Sequence, residues 1–155
     1  MTATRPAPAA PRRELARPVI FGLGDGMVSL LGTVWYLSGH PSLVLPAAIS
    51  GGVTSAVSMA GFDALSDSTR SVAESCALGL ATGLGCALPA LPYGLFRGAA
   101  AVASSVVICV ALAVVIALIR PNRSRALSLA EVLAVVALAF GAVIGCGLLL
   151  PGGAA

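Results

Sequence analysis

The chain has 155 residues, of which 58% are hydrophobic and 10% charged, with a formal net charge of +3 and a mean hydropathy of +1.01. Soluble domains carry about 25% charged residues, so a water-soluble enzyme and a disordered chain are both excluded: too little polar surface exists to cover a core. The apolar runs are long and unbroken, which excludes a transmembrane barrel and leaves an all-α membrane protein, with room for five or six helices at about 20 residues per span.

Residues 1–17 are rich in Ala, Pro and Arg and read as a disordered basic leader, retained rather than cleaved. The first span is expected over 18–37. From Gly26 to Phe62 no residue is charged, which is too long for one span and right for two. The turn formers Ser38-Gly39-His40-Pro41-Ser42 divide that run, so the second span covers 43–65. A polar stretch, Ser66 to Ser71, precedes the third span, 72–91, which ends near Pro89 and Pro92. The fourth span, 98–119, is uncharged throughout and about 33 Å long at helical rise. The loop Arg120-Pro121-Asn122-Arg123-Ser124-Arg125 leads to a fifth span over 129–150, and 151–155 form a tail. The fold class expected is a five-helix transmembrane domain over 18–150.

All nine cationic residues are arginine. Five spans put Arg5, Arg12, Arg13, Arg17, Arg70, Arg120, Arg123 and Arg125 on one side and only Arg97 on the other. The positive-inside rule then makes the N-terminus cytoplasmic and the C-terminus external, in the cytoplasmic membrane or an equivalent organelle membrane. Cys76, Cys86, Cys109 and Cys146 form no C-x-x-C pair and read as small apolar residues, not a disulfide framework. Gly22/Gly26, Gly79/Gly83 and Gly141/Gly145 repeat at four-residue spacing, which lets helices approach closely in lipid, within the bundle or across a dimer face.

Asp25 lies inside the first span, where a carboxylate costs roughly 2.5–3.5 kcal/mol. Intramembrane carboxylates are functional by default, so Asp25 reads as an ion or proton site; the alternative is a structural carboxylate bonded to a neighbouring helix. Gly22, Gly26 and Ser29 share its helix and are candidate pore-lining positions. Met59 and Asp63, four apart, share a face of the second helix, and Ser55 continues it. A thioether beside a carboxylate suits a borderline divalent ion such as Fe²⁺ better than Mg²⁺ or Ca²⁺. One Asp25 and one Met59 are too few ligands for such an ion, which predicts a two-fold homodimer that doubles the set. Asp67, Glu74 and Glu131 read as solvated helix-end charges or as an acidic vestibule that concentrates cations. His40 stands alone in the outer loop. No Ser/His/Asp set, phosphate loop or H-E-x-x-H is present, so neither an enzyme nor a tightly bound cofactor is expected. The expected partners are membrane lipid, divalent metal ions, protons and a second copy, with no nucleic acid.

Phe21-Gly22-Leu23-Gly24-Asp25-Gly26-Met27-Val28-Ser29 resembles the first-helix motif of the vacuolar iron transporter family, an aspartate-glycine pair in a Gly-rich helix. Ser58-Met59-Ala60 followed by Asp63 and Ser66 is similar to that family's second-helix motif, Ser-Met-Ala-Ala-Gly-Glu-Tyr. Asp63 stands at the glutamate position, Phe62 at the preceding Gly and Ala64 at the following Tyr. A short loop replaces the Glu-rich helical insert that many relatives carry between helices two and three. The resemblance implies a dimeric transporter that exports cytosolic Fe²⁺ or Mn²⁺ in exchange for protons. It further implies that Asp25 and Met59 line the pore and that Asp63 receives the ion. The shortened loop and altered motif also fit a non-transporting membrane scaffold or accessory subunit of the same fold.

Overall fold

A computed structural model describes residues 11–37, 39–66, 69–120 and 124–149. The described residues form helices and turns, with no strand. Six helices follow in order: α1 (Pro11–Tyr36), α2 (Val44–Ser66), α3 (Val72–Ala90), the four-residue α4 (Pro92–Leu95), α5 (Ala99–Ile119) and α6 (Arg125–Leu149). A single 3-10 turn, Pro41–Leu43, precedes α2. Among the described residues, five segments are long and apolar enough to cross a membrane, α3 and α4 together making one of them.

Two helices begin earlier than the sequence pattern places them. α1 starts at Pro11 and runs through Pro18, the expected first residue of the span. The segment Arg12-Arg13-Glu14-Leu15-Ala16-Arg17 consists of good helix formers, and Pro11 suits a first helical position. The expected leader is therefore helical over 11–17, and residues 1–10 lie outside the described part. α6 starts at Arg125, because Ser124 caps it: its carbonyl accepts the Ser128 N–H at 3.0 Å and its hydroxyl accepts the Leu127 N–H at 3.4 Å. α3 opens with a capping box, in which Ser71 Oγ accepts the Glu74 N–H and the Glu74 carboxylate accepts the Ser71 N–H, each at 3.3 Å. Gly98 precedes α5 at φ +59°, a conformation that side chains disfavour.

α3 is the central element. Buried residues make up 56% of the most apolar stretch of the α3–α4 span, against 6% for α6. One face packs on α1, where Gly22 and Gly26 meet the backbone of Leu78, Thr82, Gly85 and Cys86. The neighbouring face packs on α2, where Gly79 and Gly83 meet Gly52, Ala56 and Ala60. Cys86 Sγ donates to the Gly26 carbonyl at 3.2 Å across the first crossing. Two of the three small-residue pairs are thus used inside the bundle. At Gly141 and Gly145 of α6, no described atom lies within 4 Å of where a side-chain carbon would stand. Leu23, Met27, Ala81 and Ile116 form one core cluster, and Leu30, Val44, Ala48 and Ala90 form a second. Trp35 meets Phe140 edge to face at 6.2 Å and also packs against Gly147, which fixes α6 parallel to α1.

Candidate functional site

Arg120 lines two neighbouring clefts between the described helices. The first has a volume of about 470 Å³ and lies between α1, α5 and α6. Its apolar walls include Met27, Val28, Ile116, Val132 and Val136, and its polar groups are Asp25, Arg120 and Glu131. Asp25 is half-buried there, beside Gly24, which has open space around it. Asp25 makes no hydrogen bond or ion pair with another described residue. Gly32 faces Val143 on α6, so Glu131 lies level with Ile20. Glu131 therefore sits about 8 Å nearer the arginine-rich end than Asp25, at helical rise. Arg120 Nη1 donates to Glu131 Oε2, with the two side chains 34% and 35% exposed. A pair that open contributes about 0–1 kcal/mol and breaks readily.

The second cleft, about 640 Å³, lies at the same end and is lined by Arg17, Phe21, Asp63, Arg70, Leu78 and Arg120 among others. Asp63 is held firmly. Its Oδ1 accepts from Arg70 Nη1 and its Oδ2 accepts from Ser75 Oγ at 2.8 Å. The side chains of Asp63 and Arg70 are 13% and 27% exposed. Asp63→Asn and Arg70→Gln should each lower the melting temperature. The double variant should cost less than the two single costs added, with a coupling of about 0.5–3 kcal/mol in a double-mutant cycle. Strict additivity would mean that the pair contributes nothing.

The remaining predicted positions divide as follows. Gly22 and Gly26 are buried against α3 and line no open space within the chain, because a parallel crossing this close leaves room for no side chain. Ser29 is exposed, and its carbonyl accepts from Thr33 Oγ1 at 3.3 Å. Ser55 is half-buried, and its carbonyl accepts from Ser58 Oγ at 3.1 Å. Met59 is half-buried one turn before Asp63 and lines neither cleft. Glu74 serves in the cap of α3, and Asp67 lies outside the described residues.

Asp25 and Met59 therefore sit on helices that pack on different faces of α3 and do not share a cleft. No group of three or more His, Cys, Asp or Glu residues converges among the described residues. In the sequence alone Glu131 reads as a helix-end charge or as part of an acidic vestibule, and Arg120 has only a topological role. The signal for their pairing is nonetheless present in the short α5–α6 connection: an antiparallel hairpin brings the residue after one helix beside the second turn of the next. No family model, curated protein or solved structure matches the chain.

Proposed function

We propose that the chain exchanges a divalent metal ion, Fe²⁺ or Mn²⁺, for protons across a membrane, working as a homodimer with Asp25 as the shared site. The observation that supports this reading is the placement of Asp25: it is a carboxylate in a membrane-crossing helix, it faces a cleft, and no described cation pairs with it. A charge left so costs several kcal/mol unless a proton or a cation joins it. Metal coordination requires the ionised form, so an arriving cation expels the proton and a returning proton releases the cation. One carboxylate then alternates between two cargoes, and a proton gradient drives the metal.

Glu131 is the first carboxylate that a cation meets from the arginine-rich end of this cleft. The cation competes with Arg120 for it. Met59 supplies a soft ligand only if a second copy brings it, since α2 and α1 pack on different faces of α3. The arginine-rich end faces the cytoplasm in this reading. A second reading, a membrane scaffold or accessory subunit that moves nothing, is favoured by one observation: the acidic residue of the α2 motif is already paired with Arg70 and Ser75.

Sealed vesicles carrying an internal pH dye separate the two. Exchange predicts that external Mn²⁺ makes the lumen of protein-containing vesicles lose protons, and that protein-free vesicles stay unchanged. A scaffold predicts no difference between them. Glu131→Gln should raise the half-saturating Mn²⁺ concentration several-fold and leave the stability within about 1 kcal/mol of wild type, given its exposed pairing. An unchanged concentration dependence would remove Glu131 from the path.

A further inference from the structure

The larger cleft does not suit a cation. Arg17 comes from the start of α1, Arg70 from the α2–α3 connection and Arg120 from the end of α5, and all three line it. Asp63 is its only described acidic group and is already bonded to Arg70 and Ser75. Among the described residues, Arg17, Arg70 and Arg120 stand against two carboxylates, Asp63 in this cleft and Glu131 opposite Arg120 from the neighbouring one. Arg17 is exposed and forms no ion pair with a described residue. Planar guanidinium forks bind phosphate oxygens in pairs and hold them more strongly than a neutral donor does.

The walls point to the source of the phosphate. Pro18, Ile20, Phe21 and Leu78 form an apolar flank directly below the arginines. Phe21 lies one turn from Arg17 toward the apolar middle of α1 and is 59% exposed. A headgroup held by these arginines would therefore have its acyl chains running along that flank. Basic pockets between spanning helices at the cytoplasmic side are suited to anionic headgroups, and about 640 Å³ holds a phosphodiester with room for its substituent.

We propose that this cleft binds a phosphate-bearing anion, supplied by an anionic membrane phospholipid. The proposal uses neither Asp25 nor Met59, and it shares Arg120 with the cleft that holds Asp25.

Native mass spectrometry of the purified full-length protein, with phosphatidylglycerol or phosphatidylcholine added to the detergent, tests it. Phosphatidylglycerol should be retained several-fold more than phosphatidylcholine. Arg17→Gln should remove most of that preference, and its exposed position leaves the fold intact. Arg97→Gln, at the opposite end, should not change it. Glu131→Gln, which removes the carboxylate facing Arg120, should strengthen retention. Inorganic phosphate serves as the second probe, read by melting temperature. If phosphate stabilises wild type but not Arg17→Gln while neither lipid is retained, the site stands and its source is a free anion. Equal retention of both lipids in wild type and Arg17→Gln, with no stabilisation by phosphate, overturns the proposal.

Discussion

Gly26→Ala is expected to destabilise the protein more than any other added methyl group on α1. A side-chain carbon at that position would overlap the Thr82 carbonyl oxygen and lie 2.8 Å from both the Cys86 nitrogen and the Gly85 α-carbon. All three are backbone atoms, so no rotamer change relieves the clash. α1 must back away from α3, which breaks the Cys86 to Gly26 hydrogen bond and opens the core around Leu23 and Met27. Overpacking of this kind costs about 1–3 kcal/mol and occasionally more, and an unyielding neighbour puts Gly26 at the upper end. Gly24→Ala is the matched control, with nothing within 4 Å. It should be neutral, or stabilising by up to about 1 kcal/mol through helix propensity. Melting temperature and monodispersity in detergent report both, and equal melting temperatures for the two variants would contradict the α1–α3 crossing.

Asp25→Asn should produce the opposite pattern: exchange lost, fold kept. Asparagine has the same shape but neither ionises nor carries a proton between sides, so metal-coupled proton movement should disappear. Stability should hold or rise, because the substitution removes a charge from a spanning helix and breaks no described ion pair. A structural Asp25 would behave differently, with a lower melting temperature as the main effect. Measuring flux and melting temperature on one preparation distinguishes the two roles. Wild-type flux in Asp25→Asn would end the case for this residue as the exchange site.

The spans were legible because a bilayer demands long uncharged runs, and Gly98–Ile119 has no other reading. The arginine bias was legible for the same reason, and Arg17, Arg70 and Arg120 do gather at one end. Helix starts were less so: Pro18 looks like a first helical residue only until the helix-forming strength of the preceding six residues is weighed. The Gly-x-x-x-Gly pairs signalled close approach without naming the partner. Gly22 and Gly26 could face a pore or a helix, and only the crossing with α3 decides it. That crossing also turns Asp25 toward α5 and α6, away from Met59, an outcome no local pattern encodes. Arg70 was within reach of a sequence argument, since a loop of a few residues must bring it near Asp63. Arg120 and Glu131 needed the packing of α5 against α6.

The shared use of one carboxylate by a metal ion and a proton is tested most directly by calorimetric titration of Mn²⁺ into the purified protein. Buffers with different ionisation enthalpies reveal how many protons leave as each ion binds. The account predicts proton release on binding, one ion for every two chains, and loss of both the release and the binding in Asp25→Asn. Binding that releases no protons, or that is unchanged in Asp25→Asn, would contradict it.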